Sequence, residues 1–181
     1  CYVTLVGDPS TITLYNIPAS SSFTAAVNFT YNGVSWISVE AGPDFFVAVA
    51  ANRTMVRAHH LNTNQNHALG CANTDDCIYT FDSTVVQVSS GTAHTLLVLH
   101  DPVTTNYRVL AFGNNDYGQL GVPIGTADPV LGAKEVLSGL TAFQVAAVGN
   151  TSFALTSGGS LYTWGQITDD GLAGYNALGI L

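Results

Sequence analysis

The chain has 181 residues, of which 47% are apolar and only 9% are charged. Its formal net charge of -8 excludes a phosphate-binding surface as the main function, because affinity for nucleic acid depends on many Lys and Arg contacts. The same charge disfavours docking on anionic lipid, and no apolar run approaches the roughly 18 residues that span a bilayer. We therefore expect one domain or a few small repeats, with no nucleic-acid partner and no membrane insertion.

Short runs of Val, Ile, Thr, Tyr and Phe, separated by Gly, Asn and Asp, predict an all-β protein. No segment shows a sustained 3.6-residue apolar period with helix caps. In chain order, the predicted strands cover residues 2–6, 11–15, 23–31, 46–51, 85–89, 96–99, 109–112, 143–147, 153–155 and 161–164. Residues 1–34 form an N-terminal β-strand segment, which is either the remnant of a preceding repeat unit or a strand donated to another subunit.

A repeated pattern follows this segment. Val39, Val88 and Val145 each begin a similar run, each has an apolar residue ten positions later, and each unit ends in Leu-Gly. The Gly that follows the third Val stands one position late, at Gly149. Three anchors at similar offsets predict about three units, at residues 35–84, 85–141 and 142–181.

The middle unit carries the clearest motif. It runs Val-Ser-Ser-Gly-Thr-Ala-His-Thr over residues 88–95 and ends Phe-Gly-Asn-Asn-Asp-Tyr-Gly-Gln-Leu-Gly over residues 112–121. This pattern resembles the regulator of chromosome condensation repeat. The resemblance covers residues 35–181, and it is weakest in the first unit, where Phe45 takes the position of the His.

In that family each repeat corresponds to about one four-stranded propeller blade, and seven blades close a ring. The resemblance therefore implies propeller-like blades of antiparallel strands, and three units form a partial or open β-propeller. The positions that match the motif are expected to form the repeat core: His94, Gly113, Gly118, Leu120, Gly121, Trp164 and Gly165. Leu120 is expected to fill the gap between neighbouring blades.

Glycosylation is the next sequence feature, because three Asn-x-Ser/Thr sequons occur at Asn28, Asn52 and Asn150. The chain has 13 Ser and 20 Thr but few charges, and attached sugar would provide hydration that charge does not. These observations predict an extracellular or cell-surface glycoprotein with covalently attached glycans.

The three cysteines give an odd count. Cys71 and Cys77 bracket a short polar segment and are predicted to form a local disulfide. Cys1 is then left as a thiol for an intermolecular bond, for a segment that has been removed, or for a lipid. A zinc site is disfavoured, because the gap is wide and no second Cys pair follows.

Histidine, serine and glycine residues supply the candidate catalytic and metal motifs. His59, His60 and His67 form a cluster, but no Cys or carboxylate completes a ligand set, and a polar loop between strands is the preferred interpretation. The chain has no nucleophile-elbow sequence, and Ser157-Gly158-Gly159-Ser160 lacks the Lys of a phosphate-binding loop. We expect neither an enzyme nor a bound cofactor or metal.

Two non-enzymatic functions fit the sequence best, and a hydrolase that uses the His cluster is a third, less favoured hypothesis. The first is a secreted, self-assembling structural protein that binds copies of itself, with an open set of repeats that forms a filament if head-to-tail contacts do not close. The alternative is a binding module that forms part of a propeller and recognises a protein or glycan partner. The exchange-factor and chromatin-binding activities of the best-known family members are not carried over, because fold alone does not transfer function.

Overall fold

A computed structural model describes residues 2–5, 11–16, 24–31, 33–61, 69, 76–124, 130–166 and 179–180. Every regular element in these ranges is a β-strand. The strands are β1 (Tyr2–Leu5), β2 (Thr11–Asn16), β3 (Thr24–Thr30), β4 (Trp36–Ala41), β5 (Phe45–Ala50), β6 (Met55–His60), β7 (Asp76–Thr80), β8 (Thr84–Ser90), β9 (His94–His100), β10 (Tyr107–Gly113), β11 (Val130–Val136), β12 (Ala142–Val148), β13 (Thr151–Thr156), β14 (Leu161–Gly165) and β15 (Gly179–Ile180). None of the described segments forms a helix that would be long and apolar enough to cross a membrane.

The strands form four antiparallel sheets in which neighbours in the chain pair with one another. Strands β1–β3 make a three-stranded N-terminal sheet. The first blade is β4–β7, the second blade is β8–β11, and the third blade is β12–β15. The sheets do not close into a ring, so the protein is a partial or open propeller, as the resemblance predicts.

The first strands of successive sheets lie beside one another. Strand β1 contacts β4, β4 contacts β8, and β8 contacts β12. This succession stacks the sheets face to face, as in a propeller, where each blade buries its apolar surface against the next one.

Three apolar clusters fill the junctions between sheets. The first, between the N-terminal sheet and the first blade, contains Ile12, Trp36 and Phe46. The second, between the first and second blades, is built around Phe45 and Phe112, and the third, between the second and third blades, contains Trp164. Because Phe45 and Phe46 are adjacent on β5, their side chains point to opposite faces of the first blade and enter different clusters.

Strand pairing fixes the register of the repeats. Val39, Val88 and Val145 pair with Ala48, Leu97 and Ala154 on the second strand of each blade. Counting outward along these ladders places Val148 of the third blade where the second blade has Gly91. Gly149 lies in the following turn with φ of +58°. The Gly that is one position late in the sequence is therefore a turn residue and not a shift of register.

Several strands lie where the sequence predicted none. They are β4, β6, β7, β11 and β15. The interpretation of the His cluster as a loop is wrong for His59 and His60, which end β6. Register places His59 and His60 at the positions that Phe112 and Gly113 occupy in the second blade. His67 lies outside the described residues.

Candidate binding groove and repeat core

A polar groove with a volume of about 460 Å³ opens at one end of the second blade. Its walls come from the β7–β8 connection, the β9–β10 hairpin and the β11–β12 connection. All three segments are loops between strands, and loops carried by a rigid sheet are common sites of binding. The residues that line it are Asp82, Asp101, Thr104, Asn106, Tyr107, Arg108, Val109, Glu135, Val136, Leu137, Gly139, Leu140 and Thr141.

Arg108 holds two walls of the groove together. Its Nη2 donates to Asp82 Oδ1 at 3.0 Å and to Ser83 Oγ at 2.9 Å. Its Nη1 lies 3.9 Å from Glu135 Oε2. The side chain of Asp82 is 86% exposed and that of Glu135 is 42% exposed, so both carboxylates remain accessible to solvent and to a ligand.

Asp101 shapes the hairpin at the opposite wall. Its Oδ1 accepts from the backbone N–H of Val103 at 2.8 Å, and its Oδ2 accepts from Thr104 Oγ1 at 2.7 Å. The hydrogen bond from the Thr104 hydroxyl, followed by those from the backbone amides, holds the pKa of Asp101 below its usual range. Asp101 therefore stays ionised at neutral pH, and the groove has three carboxylates against one guanidinium.

The repeat core is built around His94, which is fully buried between the second and third blades. Its Nε2 lies 2.9 Å from Ser152 Oγ, and the Ser152 hydroxyl donates to the Gln119 carbonyl at 2.7 Å. Because Ser152 uses its single proton on Gln119, Nε2–H of His94 must be the donor to Ser152. A general base would need a bare Nε2 facing the hydroxyl, so this pair has the opposite proton arrangement.

The Gln119 carbonyl accepts a second hydrogen bond from the third blade. Trp164 Nε1 donates to it at 2.9 Å, and Leu120, the next residue, is fully buried in the same cluster. Gly165 follows Trp164 with φ of +95°, and a Cβ there would lie 2.3 Å from the Asn150 carbonyl oxygen. Only glycine fits this close approach without displacing the backbone.

The loop that precedes Leu120 is held by hydrogen bonds between its own residues. Gln119 Nε2 donates to Asn114 Oδ1 at 2.8 Å, and Asn115 Oδ1 accepts from the backbone N–H of Leu120 at 3.0 Å. The three glycines of this loop all have positive φ: Gly113 (+116°), Gly118 (+75°) and Gly121 (+68°). These bonds hold Leu120 in the gap between blades.

The sequons lie at turns where the structure describes them. Asn52 Oδ1 accepts from the backbone N–H of Thr54 at 3.1 Å, and Asn150 Nδ2 donates to Gln166 Oε1 at 2.9 Å. Nδ2 is the atom that would carry a glycan, and a sugar on Asn150 would replace one of its two amide hydrogens beside Gln166. Asn28 is on β3, and its side chain lies outside the described part. Glycosylation of the three sites stays a prediction.

The cysteine predictions are only partly within the described residues. Cys77 lies on β7 and is buried, whereas Cys71 and Cys1 lie outside the described ranges. The Cys71–Cys77 disulfide and the intermolecular role of Cys1 therefore stay predictions. Within the described ranges, no group of three His, Cys, Asp or Glu residues is arranged to hold a metal ion.

The groove was not found from the sequence, because its residues belong to three separate connections. Asp82, Asp101, Arg108 and Glu135 are spread over more than 50 positions of the chain and form no local motif. The signal that was present is the rarity of basic residues. Arg108 is one of only four Lys and Arg residues, which favours a specific structural partner for it.

Comparison with solved structures identifies the fold, although no protein-family model matches the chain. The structure is similar to human WBSCR16, at 23% identity and a TM-score of 0.62 over 82% of this chain and 39% of that one. It is similar to Prp20p of Saccharomyces cerevisiae, described with its binding to Gsp1p and histones, at 18% identity and a TM-score of 0.64 over 92% and 43%. It also matches yeast RCC1 (Prp20) bound by Kap60, at 17% identity and a TM-score of 0.62 over 92% and 42%. The chain thus spans about two fifths of the length of these proteins.

These neighbours correct one prediction. An extracellular or cell-surface location is wrong, because WBSCR16 and Prp20 are intracellular, nuclear or mitochondrial proteins. The location had been inferred from the sequons and the low charge. Sequons occur by chance in a chain with many Ser and Thr, and the described Asn52 and Asn150 both have a structural role in turns.

The pattern of sheets, the register of the repeats and these neighbours agree. The chain therefore has the fold of RCC1-type β-propeller repeats, in a set that is not closed.

Proposed function

We propose that this chain is a binding module of a β-propeller, and that its groove takes a basic segment of a protein partner. The observation that carries the proposal is the polar groove of about 460 Å³, with three carboxylates against one guanidinium. The RCC1-like neighbours support a binding role for the fold, since Prp20p is described as binding Gsp1p and histones.

Electrostatics favours a cationic ligand in two ways. The whole chain has a formal net charge of -8, which raises the local concentration of positively charged partners before contact. In the groove, the exposed carboxylates of Asp82 and Glu135 flank Arg108 and retain oxygen lone pairs for further donors. A guanidinium or ammonium group would then form charge-assisted hydrogen bonds, which are stronger than neutral ones.

Fluorescence anisotropy tests this proposal with a fluorescein-labelled peptide of alternating Lys and Ser residues. We expect binding at low ionic strength that weakens as salt is added. Asp82→Asn combined with Glu135→Gln should weaken it about tenfold, because two charge-assisted contacts are lost.

The control for net charge is Asp44→Asn, which is compared with Asp82→Asn alone so that each variant loses one carboxylate. Asp44 is an exposed carboxylate in the β4–β5 turn, at the opposite end of the blades, so its loss changes the net charge without touching the groove. Equal weakening by the control would show that the peptide responds only to total charge, and the groove would then be rejected as the site. Absence of binding by the unaltered chain would reject the basic partner.

A further inference from the structure

The third blade has a face that turns away from the second blade, here called the open face. A cavity of about 230 Å³ lies along it, on strands β12–β14. The side chains that point to it and line it are Gln144, Ala146, Phe153, Leu155 and Leu161. Most of this lining is apolar and only partly buried, which is the character of a surface that takes a partner.

The junction between the second and third blades shows how such a face is covered. Gln87 on β8 makes two hydrogen bonds to the main chain of Val145 on β12: Nε2 donates to the carbonyl at 2.8 Å, and Oε1 accepts from the N–H at 2.9 Å. Two residues further along β8, Ser89 Oγ accepts from the N–H of Ala147 at 2.9 Å. The Gln87 amide thus binds a neighbouring strand by its backbone and requires no particular side chain there.

Strand register shows that the open face has residues at the same positions as those with which the second blade contacts the third. Gln144 lies one residue before Val145, as Gln87 lies one residue before Val88, and it is exposed. Phe153 and Leu155 take the positions of Leu96 and Val98, which are both fully buried against the third blade. The third blade therefore presents the apolar surface and the amide that the second blade uses to hold its neighbour.

We infer that the open face binds the N-terminal sheet of a second copy of this chain, with β1 of that copy beside β12 and Gln144 bonded to its main chain. Within one chain the first strands already follow the order β1, β4, β8 and β12, so β1 of a second copy continues a contact of the same kind. The N-terminal sheet already packs on the first blade with one face, where Ile12 is fully buried.

Contact with further copies of the chain would cover the outermost sheets of the stack with a single type of interface. In the described part of the chain, the N-terminal sheet and the third blade are the two outermost sheets of the stack. A head-to-tail contact joins the third blade of one copy to the N-terminal sheet of the next, and such contacts produce a ring or a fibre. This inference concerns assembly, and it does not depend on the groove or its ligand.

Sedimentation velocity over a range of chain concentrations tests the inference. We expect concentration-dependent association, which Gln144→Ala weakens about tenfold by removing two hydrogen bonds. Leu155→Lys should abolish association, because it places a charge in the middle of an apolar contact. The control is Val103→Lys, since Val103 is 88% exposed on the β9–β10 hairpin, far from the open face.

Two results would overturn the inference. One is a monomer at every concentration, which would leave the open face to a further blade of the same polypeptide or to a different protein. The other is association that neither substitution changes. The direction of the contact is tested by mixing fluorescently labelled Leu155→Lys, which keeps its N-terminal sheet, with the unaltered chain. Head-to-tail packing predicts heterodimers from this mixture, whereas a contact between two open faces predicts none.

Discussion

His94 shows how one buried side chain can link two blades. Burial lowers its pKa to about 4, so the imidazole is neutral at pH 7 and donates through Nε2 to Ser152. The first blade has Phe45 at the corresponding place, where its ring is buried and lies edge-on to the His60 ring, with centroids 6.4 Å apart. In this chain the same position of the repeat therefore holds either a ring that packs or a ring that donates a hydrogen bond to the next blade.

The lowered pKa of His94 predicts a loss of stability in acid. Between pH 6.5 and 4 the unfolded chain takes up a proton on this residue, whereas the folded chain does not, so the free energy of unfolding falls as the pH falls. The loss approaches about 3 kcal/mol near pH 4. Urea unfolding at several pH values measures it. His94→Gln should flatten the pH dependence over this range and His100→Gln should retain it, and an unchanged slope in His94→Gln would refute the assignment.

Gly91 is a second position where the residue type is dictated by its surroundings. A Cβ there would lie 2.5 Å from Cε1 of His94 and 2.6 Å from the carbonyl oxygen of Gly149 on the third blade. We expect Gly91→Ala to lower the free energy of unfolding by about 2 kcal/mol, as overpacking does. Gly158→Ala is the control, because its Cβ would meet only Thr156 Oγ1 at 3.9 Å. Chemical denaturation of both variants should show a loss at Gly91 alone, and equal midpoints would contradict the close approach.

At the scale of elements, the junctions between blades differ in kind. The second and third blades are joined by side chains of β8 that bond the main chain of β12, in addition to a shared apolar cluster. In the first blade, Ser38 and Glu40 take the places of Gln87 and Ser89. The junction of the first and second blades depends mainly on packing around Phe45 and Phe112.

This difference predicts unequal effects of two glutamine substitutions. Gln87→Ala should lower the free energy of unfolding by about 1–3 kcal/mol, because Val145 then loses two partners for buried main-chain groups. Gln144→Ala, at the same place on the third blade, should change the stability of the isolated chain by less than about 0.5 kcal/mol, since Gln144 is exposed. Urea titrations at low chain concentration measure both. Equal losses would show that the amide of Gln87 contributes nothing beyond its bulk.

The elements that the sequence predicted are those whose pattern is local. Strands such as β9 and β13 have continuous or alternating apolar residues between turn signals, and the repeat motif assigns them to blades. Strand β6 was missed because Arg57, His59 and His60 break its apolar pattern, and β11 was missed because Gly132 and Lys134 do the same. These strands form through pairing with apolar neighbours, so tertiary context overrides their own propensity.

For the same reason, neither the groove nor the open face was predicted. Each is made by residues from separate strands or connections, which are brought together only when register and blade order are known. The location was predicted wrongly from composition, because low charge and sequons describe a protein surface and do not determine the cellular location. Motif and spacing carry information about fold here, whereas composition carries much less about function.

At the scale of the whole molecule, charge is the dominant property. Four basic residues cannot offset 12 acidic ones, and Arg57 and Arg108 are already engaged with Asp76 and Asp82. The folded chain holds its excess carboxylates closer together than the unfolded chain does, so repulsion between them opposes folding. At physiological ionic strength, salt largely screens the repulsion between charges that lie more than about 8–10 Å apart.

Added salt is therefore expected to stabilise the protein at neutral pH. Raising NaCl from 0.02 M to 0.3 M at pH 7 should increase the free energy of unfolding by about 1 kcal/mol, because screening relieves repulsion more in the compact state than in the unfolded state. At pH 4.6, close to the isoelectric point calculated from the sequence, the same increment should have little effect, since the net charge is near zero. Urea unfolding at the two pH values and two salt concentrations decides this. A salt effect of equal size at both pH values would mean that specific ion binding, and not long-range repulsion, determines how this acidic chain responds to its ionic surroundings.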